Sequence, residues 1–266
     1  MFGRYALPSD DLAGGASSVT ASDEDTEYPA TNLIAPSNTG HLNLPSRPAK
    51  LSATSGSWTL EFSSAIAVIA AAVIYHNFDE GLDVTLEGGG GAFSIPMPIP
   101  AKPGGDDDDW TLSPWVAFGG TQTYDEWTLS VNEANSINPQ VGRLLLLGAL
   151  RQIETDVRCG VDEQEERTII EQPTELGVET DTDMFNMRRR FAGEFGVRDA
   201  EVADLVALWR SARLRVLPWL LIPDEDINDA WFVRFDDPAS SRTRENLNFS
   251  RIPYRVRELS RGLPWP

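Results

Sequence analysis

The chain of 266 residues has few of the side chains that build metal centres or covalent cross-links. It contains a single cysteine, Cys159, and two histidines, His41 and His76. One cysteine excludes an internal disulfide framework and a cysteine-based structural zinc site, and two histidines exclude a multi-histidine metal centre. We therefore predict neither a resident metal nor a cofactor.

Long hydrophobic runs are also missing. The longest, residues 65–75, has eleven residues, well short of the roughly 20 that a helix needs to cross a bilayer. The amino terminus lacks the charged start, apolar core and small-residue cleavage site of a secretory signal. We expect a soluble protein that is not inserted in a membrane.

Basic residues are scarce. The chain has 22 Lys and Arg against 41 Asp and Glu, and residues 1–150 have only 5 basic against 18 acidic residues. Because neither half offers a surface that neutralises phosphates, nucleic acid is disfavoured as a partner. Only two of the basic residues are Lys. Arginine suits paired contacts at interfaces, although a GC-rich genome gives the same bias.

Catalytic motifs are absent from the sequence. It has no Gly-x-Ser-x-Gly, no His-Glu-x-x-His and no dinucleotide fingerprint, and the glycine run 88–91 lacks the lysine and helix of a phosphate loop. His76 is the one candidate general base, but a strand-end histidine satisfied by a backbone group is the simpler interpretation. We predict no catalytic residue and no enzymatic activity.

The first half has the pattern of a β-sandwich. Residues 1–27, rich in Gly, Ser and acids, suggest an extended arm that is either mobile or held by a neighbour. Residues 28–154 then contain many short alternating segments between long polar loops, as at 58–62, 82–86 and 124–131. The run 65–75 fits a buried strand or a buried helix, and its composition leaves both open.

The second half, residues 155–266, has the pattern of an antiparallel sheet that carries one helix. A strand-like alternation over 185–195 leads to Asp199, a good N-cap, and to a helix over about 199–216. Further alternating segments are separated by turn signals, one of them at 251–253. The predicted apolar stripe of the helix consists of Val202, Leu205, Val206, Trp209, Ala212 and Val216.

Two groups of residues in the first half can be interpreted either as a binding site or as ordinary core or loop residues. Trp58, Trp110, Trp115 and Trp127 are either a platform for a sugar ring or core aromatics, and the apolar setting of Trp58 and Trp127 favours the core. Trp110 and Trp115 remain the candidate ligand-binding residues. The run Asp106–Asp109 is either a calcium site or a solvated loop, and the missing ligand spacing favours the loop.

Three consecutive arginines, residues 188–190, fall on the predicted strand of the second half. Arg188 and Arg190 either pair with an acidic neighbouring subunit or lie on a solvated face with one internal salt bridge. We predict them as assembly contacts and leave both alternatives open.

Short motifs in both halves resemble known structural proteins. Residues 28–34 (YPATNLI), residues 58–62 and the strand end His76-Asn77 resemble the opening of discoidin-like, galactose-binding-like jelly rolls, with which several tailed-phage structural proteins begin. The segment 141–144 (VGRL) and the segment 218–224 (PWLLIPD) also resemble such proteins. The second half is similar in outline to the split-barrel units of phage tail tubes and distal tail rings.

The resemblance implies a mainly β protein with a jelly-roll-like sandwich followed by a split-barrel-like α+β domain. It implies a non-enzymatic component of a phage tail or tail tip, made in the cytoplasm of the bacterial host and located in the virion. Its partners would be copies of itself in a ring and other tail proteins. The alternative is a carbohydrate-binding, lectin-like sandwich that recognises a glycan on the host surface.

Overall fold

The computed structural model describes residues 4–34, 48–100, 113–152, 157–173, 179–198, 202–211, 219–222, 230–235, 243–246 and 249–258. Within these ranges the chain forms two antiparallel sheets and one α-helix, which confirms the predicted mainly β fold. The elements are β1 (Arg4–Ala6), β2 (Ser18–Ala21), β3 (Ala49–Lys50), β4 (Gly56–His76), β5 (Val84–Gly88), β6 (Phe93–Pro96), β7 (Trp115–Val131), β8 (Gln140–Leu147), β9 (Arg151–Gln152), β10 (Val157–Pro173), β11 (Glu179–Arg198), α1 (Val202–Ser211), β12 (Trp219–Ile222), β13 (Trp231–Phe235), β14 (Thr243–Asn246) and β15 (Phe249–Glu258).

The N-terminal half is built on β4, the central strand of a seven-stranded sheet with the order β3-β8-β4-β7-β5-β6. The ambiguous run 65–75 lies inside this strand and is therefore not a helix. The first part of β4 pairs with β2 and the last part with β8, while β7 follows it along most of its length. Two register shifts between β4 and β7 interrupt the ladder, and such bulges bend the strands.

The core of the sandwich is aromatic at its centre. Trp58 and Trp127 are fully buried, so their interpretation as core residues is confirmed. Phe118 stacks on Trp127 with ring centroids 5.8 Å apart. The largest buried side chains of this cluster are Trp58, Trp127, Phe78, Leu33, Leu51, Leu60 and Leu86.

The C-terminal half forms an eight-stranded sheet with the order β10-β11-β15-β13-β12-β1-β9, and β14 pairs with β15. The first 27 residues, predicted as an extended arm, contribute to both sheets. Strand β1 lies between β12 and β9 in the eight-stranded sheet, and β2 pairs with β4 in the seven-stranded sheet. The segment from Arg4 to Ala21 therefore runs from one sheet to the other.

Helix α1 lies on one face of the eight-stranded sheet. Leu205, Leu208 and Trp209 are buried against it, at the three-and-four spacing of one helical face. Val206, which we had placed in the buried stripe, is 37% exposed because it falls one residue beyond that face. Asp199, Ala212 and Val216 lie outside the described residues. Among the described helices, none is long and apolar enough to span a membrane.

One predicted turn is wrong. The segment 251–253 continues as a strand, because β15 runs without interruption from Phe249 to Glu258. Pro253 is tolerated there because β14 pairs with β15 only up to Arg251 and β13 pairs only from Val256. The missing N–H of the proline therefore costs no ladder hydrogen bond on that side of the strand.

The second face of the eight-stranded sheet packs against the outer face of β4 and β8. Phe232, Leu220 and Ile222 from the eight-stranded sheet meet Ile74 and Leu145 from the sandwich in one buried cluster. The N–H of Ala230 donates to the carbonyl of Ser113 at 2.8 Å, which adds a backbone contact between the halves. The outer face of the last part of β4 and of β8 is therefore buried against the second half.

The segment between β1 and β2 fixes this packing with two ion pairs. Arg143 donates from Nη2 to Oδ2 of Asp11 at 2.8 Å, and the two side chains are only 11% and 9% exposed. The guanidinium of Arg143 also lies 5.4 Å from the ring centroid of Phe232. Arg151 pairs with the adjacent Asp10. A carboxylate of the N-terminal segment, an arginine of the sandwich and a ring of the second half thus form one contact.

We expect Asp11→Asn to lower the free energy of unfolding by about 3 kcal/mol, because it leaves the buried Arg143 without its carboxylate. Urea unfolding followed by tryptophan fluorescence measures the change. Asp25→Asn is the control, since the pair of Asp25 with Lys50 is 3.7 Å long and about twice as exposed, and we expect it to cost below about 1 kcal/mol. Equal losses in the two variants would contradict this assignment.

Candidate assembly surface

Strands β10 and β11 form a hairpin that extends beyond the rest of its sheet. They pair from Val157 opposite Phe195 to Pro173 opposite Glu179. On its other side β11 pairs with β15 only over Arg190–Arg198. Residues 179–189 of β11 therefore have β10 as their only strand partner among the described residues. Residues 157–173 form one continuous strand.

Among the described strands, none pairs with this hairpin along the outer side of β10 or along residues 179–189 of β11. The outer side of β10 is the edge of the sheet, and residues 179–189 of β11 add a second open edge. Open edges present rows of N–H and C=O groups that another strand can pair with. A two-stranded ribbon is at best marginally stable by itself in water, so this part of the chain gains most from an added partner.

The predicted assembly contacts Arg188 and Arg190 lie where the hairpin leaves the sheet. Arg188 is opposite Glu166 in the register, and Arg190 is opposite Gln164. The position of Glu166 suits an internal ion pair for Arg188. Arg190 differs, because its register partner on the other side is Arg257 of β15.

Arginines form a row across three neighbouring strands. Arg190 of β11 is opposite Arg257 of β15, which is in turn opposite Arg234 of β13. Directly opposed residues of antiparallel strands share a face, so these three positions lie on one face of the sheet. Arg255, two residues before Arg257, belongs to the same face and is exposed. We call these four residues the arginine face. The same register places Asp162, opposite Ala192, and Glu194 on this face, so its charge is positive on balance.

The arginine face lies on the side of the sheet that meets the sandwich. Phe232 and Arg234 are two residues apart on β13 and therefore share a face. Phe232 packs in the cluster between the two sheets. Val233 and Phe235 point the other way and pack in the cluster that contains the helix. The sandwich covers β12, β1 and part of β13 on this side, and the arginine face begins where that cover ends.

Of the two candidate ligand-binding tryptophans, the structure describes only Trp115. Trp115 is 9% exposed and packs in the cluster between the sheets, with the guanidinium of Arg4 6.0 Å from its ring centroid. Trp110 and the acidic run Asp106–Asp109 lie outside the described residues. Within the described residues, no group of three or more His, Cys, Asp and Glu side chains is placed to hold a metal ion.

His76 has the structural role that its position at a strand end predicts. It is 5% exposed, and its Nδ1 accepts a hydrogen bond from the backbone N–H of Phe78 at 3.0 Å. Its ring also stacks on Phe78 with centroids 4.8 Å apart. The nearby Asp79 accepts hydrogen bonds from the N–H and the hydroxyl of Ser136. These contacts hold the loops at one end of the sandwich.

Sequence reasoning missed one aromatic pair of the sandwich. Phe93 and Tyr124 are half-buried, and their rings lie 6.5 Å apart with an angle of 23° between their planes. Tyr124 lies against Gly88 and Gly89, where an added Cβ would come within 2.5 Å of its ring. The glycine run 88–91, read only as a turn, therefore also makes room for this ring. No spacing signal in the sequence connects the two aromatic residues.

No family model matches the sequence, and no curated protein matches it. Solved structures similar to this chain include the family 32 carbohydrate-binding module of NanJ from Clostridium perfringens, in complex with galactose. The two sequences are 12% identical, the TM-score is 0.36, and the match covers 56% of this chain and 99% of that one. A second module from Clostridium perfringens, in complex with GalNAc-β-1,3-galactose, has 14% identity and a TM-score of 0.38, covering 52% and 99%. A chitosan-binding module from Paenibacillus sp. IK-5 has 9% identity and a TM-score of 0.38, covering 52% and 98%. The predicted phage-tail setting has no counterpart among these three.

The arginine row predicts a small gain in stability when one of its charges is removed. We expect Arg257→Gln to raise the free energy of unfolding by about 0.2–1 kcal/mol at low salt, because like charges directly opposite each other are unfavourable. Arg255→Gln is the matched control, since its register partner is Ala192 rather than an arginine. Urea unfolding at about 10 mM and about 150 mM salt measures both. A gain for Arg255→Gln as large as that for Arg257→Gln would argue against the row.

Proposed function

We propose that this protein is a non-enzymatic structural component of a larger particle, and that it assembles through its C-terminal eight-stranded sheet. The observation that carries the proposal is the hairpin of β10 and β11, whose residues 179–189 continue past the last strand that pairs with β11. Its open edges are suited to pairing with strands of neighbouring subunits.

The way in which the eight-stranded sheet is covered supports assembly at its β10 edge. One face of the eight-stranded sheet is covered by α1 and part of the other by the sandwich, so its edge at β10 is the part left for a partner. Such a contact joins different surfaces of two subunits and is therefore heterologous. Repeated, it generates a closed ring or a filament.

The setting we propose is the tail or tail tip of a tailed phage, with copies of the chain and other tail proteins as partners. The support for this setting is the sequence resemblance of residues 28–34 and 218–224 and of the order of elements in the second half. The protein would then be made in the bacterial host cytoplasm and be located in the virion.

The test is to shorten the hairpin without changing the sheet that carries it. In this variant residues 169–183 are replaced by Asn-Gly, which joins the register partners Thr168 and Met184 by a two-residue hairpin turn. We expect the variant to keep the thermal unfolding midpoint of the full chain to within a few degrees and to lose assembly completely. Analytical ultracentrifugation across a concentration series measures the assembled fraction.

The control is Gly90→Asn in a turn of the sandwich, a position of positive φ that Asn tolerates and where an added Cβ meets only the Glu126 carboxylate at 3.8 Å. We expect this variant to assemble as the full chain does. A full chain that stays monomeric at every concentration, and that is absent from purified particles, would remove the proposal. Assembly of the shortened hairpin equal to that of the full chain would remove the role of the hairpin.

A second candidate function is carbohydrate binding by the sandwich. The three structures named above are described as binding galactose, GalNAc-β-1,3-galactose and chitosan. In this chain the observation that favours a sugar is the half-buried pair Phe93 and Tyr124, because aromatic rings at a surface offer an apolar face beside polar groups.

We expect Phe93→Ala to weaken binding at least tenfold on a glycan array that includes galactose, N-acetylgalactosamine and chitosan oligosaccharides, a loss of about 1.4 kcal/mol. Tyr28→Ala is the control, because Tyr28 is also half-buried but contacts Lys50 elsewhere on the sandwich. Circular dichroism confirms that each variant is folded. Absence of binding by the unmodified chain to every glycan would reject this candidate.

A further inference from the structure

The far end of the hairpin is strongly acidic. Residues 168–187 contain five acidic residues and no Lys or Arg. Four of them lie on described strands: Glu171 on β10, and Glu179, Asp181 and Asp183 on β11. We call residues 168–173 and 179–184, which pair with each other, the ribbon end.

The register places these four acids on one face of the ribbon end. Residues 179, 181 and 183 alternate along β11 and so share a face. Asp181 is directly opposite Glu171, which adds the fourth acid to that face. The other face has only uncharged residues at its register positions: Thr168, Ile170, Gln172, Thr180, Thr182 and Met184. The ribbon end therefore has one acidic face and one uncharged face.

This acidic face is too far from the arginine face of the same molecule to pair with it. Asp183, the nearest of these acids, lies seven residue steps from Arg190 along extended β11, a length of roughly 23 Å. Charges at a surface are largely screened beyond about 8 Å at physiological salt. A second copy is the partner that can bring the two faces together.

Both faces also carry like charges in opposed positions. Glu171 is opposite Asp181 in the ribbon end, and Arg190 is opposite Arg257 in the sheet. Each arrangement disfavours the isolated subunit by up to about 1 kcal/mol per pair. Contact with a face of opposite charge adds attractions that offset both repulsions, which links the two features in one assembly step.

We propose that the acidic face of the ribbon end of one copy docks on the arginine face of the next copy. The inference rests on the proposed function and deepens it, because it names the partner surface of the hairpin. The contact joins Glu171, Glu179, Asp181 and Asp183 to Arg190, Arg234, Arg255 and Arg257 of the neighbouring copy. The contact is heterologous: each copy docks its ribbon end on one neighbour and binds the ribbon end of another neighbour on its own arginine face.

Charge reversal of either face tests the contact. Variant one is Asp181→Lys with Asp183→Lys, and variant two is Arg255→Glu with Arg257→Glu. We expect each variant by itself to need at least a tenfold higher concentration than the unmodified chain to assemble, as measured by mass photometry and sedimentation. We expect an equimolar mixture of the two to recover assembly, because the two lysines introduced in one ribbon end then meet the two glutamates introduced in the other variant's face, while the unmodified ribbon end meets the unmodified arginine face.

The ribbon end supplies its own matched control. Thr180→Lys with Thr182→Lys introduces two lysines at the adjacent positions of the uncharged face, and we expect assembly to match that of the unmodified chain. Circular dichroism and the thermal midpoint establish that all variants are folded. A variant that fails to unfold cooperatively is replaced by Asp181→Asn with Asp183→Asn or by Arg255→Gln with Arg257→Gln, for which the same loss is expected to a smaller extent.

The outcomes separate this inference from the proposed function. If the unmodified chain assembles and variant one assembles equally well, the contact between the two faces is wrong while assembly through the sheet stands. Failure of the mixture to recover assembly, with both variants folded, also overturns the contact. If the unmodified chain does not assemble at all, the proposed function itself is lost.

Discussion

The structure depends on how the N-terminal segment ties two separate sheets together. Strand β1 lies within the eight-stranded sheet, β2 lies beside β4 in the seven-stranded sheet, and the Asp11–Arg143 ion pair lies between them. Since both side chains of this pair are largely shielded from water, each requires the other. The result is one buried contact region in which the sandwich supports the sheet that carries the hairpin.

That support explains why the hairpin of β10 and β11 projects. The sandwich, α1 and β1 cover the strands from β13 to β9, so the stability of the eight-stranded sheet comes from its covered part. Strand β15 then anchors only the half of β11 that lies closest to this cover. Among the described strands, the remainder of the hairpin pairs only with itself, which leaves the open edges on which the proposed assembly depends.

The sequence predicted which segments form strands or a helix better than it predicted which strands pair with each other. Alternation at residues 82–86 and 124–131 predicted strands, and the three-and-four spacing of Leu205 and Trp209 predicted a helix that lies on a sheet. It did not predict that residues 65–75 form a strand, because a wholly apolar run has no period. It also predicted a turn at Pro253, since the effect of a proline depends on whether a second strand needs its N–H.

The mainly β composition, the acidic charge and the helix near Val202–Ser211 follow from residue types and short spacings alone. So does the strand that contains Arg188 and Arg190. The row of Arg190 with Arg257 and Arg234, and the position of Trp115 between two sheets, depend instead on which strands pair and which faces pack. The physical reason is that register and face-to-face packing join residues far apart in the chain, and no local pattern encodes which strands become neighbours.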